Sequence, residues 1–384
     1  MDKAASLLQR GSAPIAMLSR RDFVRSALLL SAAGLPLAAA EVPGGGEEAP
    51  AGGEGAQRLP LAKLRQWEEL GYGMFLHFGM STFTGRELPD GTAPLSAYHP
   101  TRLDVDQWLA AARDAGMTYA VLTAKHVAGH CLWPSKWTRY HVGNGPVKTD
   151  VVGAFAQACA RHGLRAALYY CSWDNHNRFG SMTPSDVYRL PPDQQIKEPH
   201  AWAFQAYTTR AYQDFQWRQI EELMTQYGPL VEFWVDIPGV LPRGYREALY
   251  RQMAAWQPGC AVMMNSGGDP GPQYPVTYSW PSDLVALERS FPRGVHGQPK
   301  WRQIEGKTYY LPAECCDTLR QSWFYVEGEE ARPDGELLGM YLMARTRGCN
   351  FLLDVPPDRT GRIPADSVQA LQRLRRAVDR AAAA

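Results

Sequence analysis

The sequence predicts an α/β protein in which residues 59–384 form a single (β/α)8 barrel of the TIM type. Short apolar runs alternate with helical patterns from Leu59 onward, and eight of the runs have the length of a strand. Continuously apolar strands indicate burial on both faces, which is the mark of a parallel sheet. The alternation with helices favours a closed barrel, for which about 250 residues suffice. A doubly wound open sheet is the alternative, but no Gly-x-Gly-x-x-Gly follows the first strand.

The predicted elements follow one another in the order that a barrel requires. Strands are predicted at 72–78, 119–125, 165–171, 230–235, 260–265, 284–287, 308–313 and 349–353. Helical patterns lie between them at 105–115, 150–162, 201–227, 243–256 and 335–347. A last helix at 365–383 leaves little room for a second domain.

Residues 1–40 are predicted to be a cleavable twin-arginine export signal. The motif SRRDFV lies at 19–24, and an apolar stretch over 26–40 ends in three alanines before Glu41. The stretch is too short to span a bilayer comfortably, so a periplasmic or secreted protein is expected. A chance arginine pair is the alternative. The residues after it, 41–58, are rich in Gly, Pro, Ala and Glu and are predicted to be a disordered linker.

Composition limits the partners and cofactors. Lys and Arg number 40 against 39 Asp and Glu, and this near balance gives no reason to expect nucleic acid or a membrane as partner. The seven cysteines are odd in number and lie in apolar runs, which indicates buried thiols and not a disulfide framework. No Cys-x-x-Cys pair suggests zinc. We therefore expect neither a metal nor an organic cofactor, and the oligomeric state stays open.

Polar and aromatic side chains gather where the predicted strands end. In chain order they are His77, His126, His130, Tyr170, Trp173, Trp234, Asp236, Glu288 and Glu314. Barrel active sites lie at the carboxyl ends of the strands, so these side chains would converge on one rim. Two carboxylates there can divide the roles of acid and nucleophile, because an uncharged environment raises one pKa while a polar one keeps the other group ionised.

A series of motifs runs along the chain in a fixed order. GMFLHFG spans 73–79, TFTGRELPDG 82–91, a DxxQW segment 104–108, and LTAKH with CLWPSK 122–136. A strand end of YY-S-W-D character at 169–174, W-x-D at 234–236 and CNFLLDVPP at 349–357 follow. Together they resemble the α-L-fucosidases of glycoside hydrolase family 29 over roughly 59–374, without the usual C-terminal β-sandwich. The 82–91 segment is most similar to the subfamily that acts on 1,3- or 1,4-linked fucose.

The resemblance implies a retaining exo-glycosidase that removes terminal α-L-fucosyl residues from fucosylated oligosaccharides or glycoconjugates. Asp236 would be the nucleophile. Glu288 is the predicted acid/base because 283–288 resembles the family's D-x-x-x-x-E segment, and Glu314 is the second candidate. The predicted sugar-binding residues are His77, Glu87, His126, His130, Tyr170, Trp173 and Trp234. Each also has a structural explanation, such as a core histidine, a core tryptophan or a surface ion pair.

Two segments depart from the family pattern. The family's KHHDGF is KHVAGH here, so Val127 replaces a sugar-contacting histidine, and the residues after strand five, NSGG at 265–268, supply no arginine. These departures affect which sugar is bound before they affect which reaction is catalysed. A contact to a hydroxyl group that is lost can make a site reject a substrate strongly. Two other functions stay open. One is a barrel that binds glycans without cleaving them, and the other is a metal-dependent hydrolase built on His77, His126 and His130.

Overall fold

Eight parallel strands and the helices around them confirm the predicted (β/α)8 barrel. The computed structural model describes residues 53–179, 208–268, 274–292 and 297–383. The strands in these ranges are β1 Tyr72–Leu76, β2 Tyr119–Lys125, β3 Arg165–Cys171, β4 Glu232–Asp236, β5 Ala261–Met264, β6 Val285–Glu288, β7 Trp301–Ile304, β8 Lys307–Tyr310, β9 Ala313–Thr318 and β10 Asn350–Asp354. The barrel strands pair in the order β5-β4-β3-β2-β1-β10-β9-β6. The predicted export signal and residues 41–52 of the predicted linker lie outside the described residues.

Helices flank the barrel strands. They are α1 Leu61–Glu68, α2 Met80–Thr84, α3 Val105–Asp114, α4 Val151–His162, α5 Arg210–Gln226, α6 Arg243–Trp256, α7 Val276–Ser279, α8 Asp334–Arg345 and α9 Ala365–Ala383. The side chains of Asp104 and Asp150 cap α3 and α4 by accepting from backbone N–H groups that have no partner within the helix. Gly163 ends α4 with a φ of 70°, a left-handed conformation that favours glycine. These local signals explain why both helices lie close to their predicted bounds.

The barrel interior is filled by alternate residues of its strands. Phe75, Tyr169 and Trp234 belong to one buried cluster, together with Tyr119, Val121, Ala167, Cys171, Ala261, Met263, Leu284, Ala286, Cys316 and Leu352. Residues that pair across neighbouring strands point to the same face of the sheet. Tyr169 pairs with Trp234, and Cys171 pairs with Asp236. The side chain of Asp236 therefore lies on the inner face, at the carboxyl end of β4.

Between β5 and β6 the barrel is joined by backbone and side-chain hydrogen bonds, among them one from the N–H of Asp283 to the carbonyl of Val262 at 2.8 Å. The carboxylate of Asp283, just before β6, accepts from the N–H of Val262 at 2.8 Å, and the hydroxyl of Ser282 accepts from the N–H of Met264 at 3.1 Å. Asp283 is buried and forms an ion pair with Arg58. Arg58 also donates to the carbonyl of Cys260 at 2.8 Å. The predicted linker is thus corrected at its end, because the last of its residues is held against the barrel by these contacts.

The seventh predicted strand, 308–313, is also corrected. The strands β7 and β8 form an antiparallel hairpin, and the barrel strand β9 starts only at Ala313. In the described residues between β6 and β9, this hairpin takes the place of a helix. The run TYYLPA satisfies strand preferences in either position, so the sequence pattern could not separate the hairpin from the barrel. As a consequence, Glu314 lies near the beginning of β9 and not at its carboxyl end.

The barrel lies within a compact unit that spans Val42–Ala377. Beyond Ala377, the structure describes residues 378–383, which are helical. In the described ranges no helix has both the length and the apolar character needed to cross a membrane.

Candidate active site

A cavity of about 160 Å³ opens where the barrel strands end. Its lining consists of Phe75, His77, Glu87, Leu88, His126, Val127, Tyr169, Trp234, Asp236, Ile237, Asn265, Gly267, Tyr278, Glu288, Cys316 and Trp323. Pockets for drug-sized ligands usually measure about 300–1,000 Å³, so this volume suits a small ligand such as one sugar ring. Both predicted catalytic carboxylates line this cavity. The predicted binding residues His77, Glu87, His126 and Trp234 line it with them.

The side chain of Asn265 lies between the two carboxylates. Its amide nitrogen is 2.7 Å from Oδ1 of Asp236 and 3.1 Å from Oε2 of Glu288. Those two oxygens therefore cannot be further apart than about 5.8 Å, which is the sum of the two distances. Retaining glycosidases hold their carboxyl groups about 5–5.5 Å apart, whereas inverting enzymes hold them about 6.5–9.5 Å apart. The separation fits the first arrangement.

Glu288 is placed to hold a proton near neutral pH. Burial, and after it the negative charge of Asp236, raise the pKa of Glu288 to about 7 from its usual value of 4.5. The hydrogen bond from Asn265 and the positive charge of Arg289 act in the opposite direction. A carboxyl group with such a pKa can donate its proton and later take one back within the range where proteins work.

The hydroxyl of Tyr169 donates a hydrogen bond to the other oxygen of Asp236, Oδ2. Both oxygens of this carboxylate are thus held, one by a phenol and one by an amide. Tyr169 was not predicted, because two adjacent tyrosines give no signal as to which one faces inward. The register of β3 with β4 decides it, and that register is a tertiary property.

Tyr170, which we predicted to bind the substrate, lies away from the cavity. As the next residue along β3 it points out of the barrel, where its hydroxyl accepts from Nζ of Lys125 at 2.8 Å and donates to Gln219 at 2.9 Å. The ammonium group of Lys125 also lies 2.6 Å from Asp174, and both charged side chains are fully buried. Tyr170 therefore belongs to a buried polar cluster between the barrel and α5.

His77 and His126 face the cavity as uncharged rings. Burial lowers the pKa of each imidazole to about 3. Oδ1 of Asp354 lies 2.7 Å from Nδ1 of His77 and also accepts from its backbone N–H at 3.3 Å. With Nδ1 engaged by Asp354, Nε2 of His77 is the ring nitrogen left to form a hydrogen bond with a ligand hydroxyl.

His130 and Trp173 do not line the cavity. His130 is buried between Tyr98 and Tyr140, with ring centroids 4.9 and 5.2 Å away. Trp173 follows β3 and donates from its indole to Asn175 at 2.6 Å. His130 is thus not brought beside His77 and His126, and the residues that the structure describes contain no group of three or more His, Cys, Asp or Glu arranged to hold a metal ion.

Two tryptophans form aromatic walls of the cavity. The indole of Trp234 donates to Oε1 of Glu314 at 3.1 Å, which fixes the ring from below. The guanidinium of Arg289 lies 4.9 Å from the ring centroid of Trp323. Trp323 was missed because placing the seventh strand too early along the chain hid the loop that follows β9.

Glu314, the second candidate for the acid/base, lies below the cavity inside the barrel. Its carboxyl group accepts hydrogen bonds from Tyr119 and Trp234, and the carboxyl group of Glu232 is buried with it. Burial raises the pKa of Glu314 to about 7, and it raises that of Glu232 as well. Of the two candidates for the acid/base, Glu288 therefore lines the cavity together with Asp236, and Glu314 does not.

The backbone turns sharply directly after each carboxylate. Ile237 follows Asp236 with a φ of 48°, and Arg289 follows Glu288 with a φ of 46°. Side chains other than glycine seldom adopt this left-handed conformation, and a β-branched residue does so at a real cost. Such strain persists only where the surrounding structure enforces it, and it concentrates at functional sites.

Comparisons with known proteins agree with this geometry. A family model described as alpha-L-fucosidase matches residues 92–379. Alpha-L-fucosidase 1 of Arabidopsis thaliana is 31% identical over 82% of this chain and 59% of its own length, and an alpha-L-fucosidase of Dictyostelium discoideum is 27% identical over 70% and 52%. The chain thus spans between about half and three fifths of these curated relatives. Alpha-L-fucosidase isoenzyme 1 of Paenibacillus thiaminolyticus shares the fold at a TM-score of 0.65, with 23% identity over 83% of this chain and 75% of that one.

Proposed function

This chain belongs to the alpha-L-fucosidase family, and from that premise we propose that it hydrolyses terminal α-L-fucosyl residues with retention of configuration. Asp236 is the proposed nucleophile and Glu288 the proposed acid/base. The observation that carries the proposal is the placement of both carboxylates on one small cavity, with their nearest oxygens at most about 5.8 Å apart. The proposed substrate class is a fucosylated oligosaccharide or glycoconjugate.

The reaction would run in two displacements. First an oxygen of Asp236 attacks the anomeric carbon while Glu288 gives its proton to the glycosidic oxygen, so the bond to the aglycone breaks and a fucosyl ester of Asp236 forms. Glu288 then takes a proton from water, whose oxygen attacks the same carbon. The ester bond breaks, Asp236 leaves as a carboxylate, and Glu288 is protonated again.

The cavity lining supports a single 6-deoxy sugar as the group that is bound. Neutral His77 and His126 can accept and donate hydrogen bonds to hydroxyls, and Glu87 adds a carboxylate acceptor. Phe75, Val127 and Trp323 supply apolar surface against which a sugar methyl group and a ring face can pack. The small volume supports removal of a terminal residue over cleavage within a chain.

A glycan-binding barrel without catalysis receives less support. Such a protein has no need for two carboxyl groups within reach of one anomeric carbon, or for a buried one whose pKa is raised to about 7. The replacement of a family histidine by Val127 alters the cavity wall and leaves Asp236 and Glu288 in place.

A panel of aryl glycosides tests the proposal. We expect release of the phenol from the α-L-fucoside, with much slower release from the galactose, rhamnose and arabinose counterparts. Proton NMR of the first product should show the α anomer before mutarotation. Turnover that is faster on another sugar would reject the fucosyl assignment, and initial release of the β anomer would reject the double displacement.

We also propose export through the twin-arginine pathway. The SRRDFV motif at 19–24 supports it, and so do the buried free thiols, since this pathway carries protein that has folded in a reducing compartment. Replacing Arg20 and Arg21 together by Lys should leave the protein in the cytoplasmic fraction. Unchanged export of that variant would refute the assignment.

A further inference from the structure

One side-chain amide contacts both proposed catalytic carboxylates. Asn265 directly follows β5, and only 6% of its surface is exposed. The amide has two N–H bonds, and Asp236 and Glu288 each accept from its nitrogen, at 2.7 and 3.1 Å. This geometry allows each hydrogen to serve a different carboxylate.

The orientation of the amide is fixed from its other end. Oδ1 of Asn265 accepts from the N–H of Gly267 at 2.8 Å, so the oxygen faces the backbone and the nitrogen faces the carboxylates. Gly267 adopts a φ of 79°, and its carbonyl accepts from the N–H of Glu288 at 2.9 Å. The turn at 265–267 therefore contacts Glu288 twice. The amide of Asn265 binds its side-chain carboxyl group, and the carbonyl of Gly267 binds its backbone N–H.

We propose that Asn265 is a positioning residue that holds Asp236 and Glu288 at the spacing for double displacement and donates a hydrogen bond to whichever of them carries the negative charge. This inference rests on the proposed function. In the first displacement the charge passes from Asp236 to Glu288, and in the second it returns. An amide that donates to both partners stabilises the charge at each stage without moving. Since residues 265–268 include no arginine, the uncharged amide of Asn265 is the donor that stabilises this negative charge.

The groups around Asp236 and Glu288 determine how removal of the Asn265 amide would be detected. Among the residues that the structure describes, the other titratable or charged groups that act on the two carboxylates or are acted on by them are His77, Glu87, His126, Tyr169, Cys171, Tyr278, Arg289 and Cys316. Only one of them, Arg289, is a permanent cation. The hydrogen bond from Asn265 lowers the pKa of Glu288 against the effects of burial and of Asp236. Removal of the amide should therefore raise that pKa above about 7.

Kinetics of Asn265→Ala and of the isosteric Asn265→Asp provide the first test. Ser266→Ala is the matched control, because it removes a hydrogen bond of 3.0 Å from the same turn without touching either carboxylate. On an aryl α-L-fucoside we expect kcat to fall about 100-fold in both Asn265 variants while KM changes only a few-fold, as is typical when reacting groups are misplaced. The control should stay within about 3-fold of the wild type. Asn265 variants that behave like the control would overturn the inference.

The proton of Glu288 provides a second test that needs no turnover. The infrared band of the protonated Glu288 carboxyl group can be identified because it is missing from the spectrum of Glu288→Gln. In the wild type this band should titrate with a midpoint near pH 7. We expect the midpoint to rise by about one pH unit or more in Asn265→Ala and Asn265→Asp, but not in Ser266→Ala. An unchanged midpoint contradicts the inference even if the fold is intact. If the wild type cleaves no fucoside but the midpoint shifts, only the proposed substrate is wrong.

Discussion

The phenol of Tyr169 and the carboxylate of Asp236 are joined by a hydrogen bond inside the barrel, whereas the following tyrosine faces the helices. Tyr169→Phe should lower kcat/KM about 10- to 100-fold, since a hydrogen bond to a charged group is worth about 1.5–3 kcal/mol. Its melting temperature should stay close to that of the wild type. Assays with an aryl fucoside and calorimetry measure the two effects.

Tyr170→Phe is the matched control and should show the reverse pattern. It withdraws an acceptor from the buried ammonium group of Lys125, which costs about 1–3 kcal/mol of folding free energy. We expect a loss of several degrees in Tm with kcat/KM within about 3-fold of the wild type. If Tyr170→Phe proves the more damaging to turnover, the assignment of the two faces of β3 is wrong.

Asp236→Ala should abolish the cleavage of an aryl α-L-fucoside while the protein remains folded. Loss of a nucleophile typically costs about 10⁴-fold or more in kcat. Added azide should restore release of the phenol by attacking the anomeric carbon in the space left by the carboxylate, and the product should be the β-fucosyl azide. The exposed Asp334→Ala serves as the control. Substantial turnover by Asp236→Ala without azide would remove this residue from the mechanism.

Glu288→Gln should change the pH profile as well as the rate. In the wild type, kcat/KM should fall as pH rises through about 7, because Glu288 must be protonated to assist departure of the aglycone. The variant should lack this alkaline limb. It should lose little activity on aryl fucosides whose phenols are strong acids and much more on those whose phenols are weak acids. An alkaline limb that persists unchanged would assign it to another group.

Glu314→Gln should reduce the pH dependence of stability. Burial raises the folded-state pKa of Glu314 from 4.5 to about 7, so its contribution to stability is complete below pH 4.5 and is lost as pH rises through about 7. Because a tenfold change in proton affinity corresponds to about 1.4 kcal/mol, this contribution is on the order of 3 kcal/mol. We therefore expect the wild type to lose more stability between pH 5 and 8 than Glu314→Gln, as measured by urea unfolding. The exposed Glu327→Gln should behave like the wild type, and equal slopes in all three proteins would contradict the expectation.

Periodicity and strand length were sufficient to predict the barrel and the strands of its first half, whereas the helices α1 and α2 were not predicted. The structure places β2 and β3 at the predicted residues, and the ends of β1 and β4 differ from the prediction by only two residues or fewer. Asp236 and Glu288 could be located because each ends an apolar strand. Their convergence on one cavity follows from the barrel itself, since the carboxyl ends of its strands meet on one rim.

The residues that were misplaced are those whose position depends on contacts between distant parts of the chain. Tyr169 and Tyr170 are chemically identical, and only the pairing with β4 selects the inward one. Glu314 follows an apolar run that the sequence cannot divide between a hairpin and a barrel strand. Asn265 attracted attention only as part of a segment that supplies no arginine, and its contacts with two carboxylates depend on where β4, β5 and β6 end together.

The ion pair between Arg58 and Asp283 sets a limit on how far the chain can be trimmed. A protein whose first residue is Leu59 would keep every strand but would leave the buried Asp283 carboxylate without its cation, next to the seam where β5 meets β6. Limited proteolysis that cuts after Arg58 should therefore weaken the contact between β5 and β6. The backbone amides of β5 should then exchange their hydrogens faster. For recombinant production, the protein should begin upstream of the first helix and include Arg58, a residue that sequence composition alone would discard.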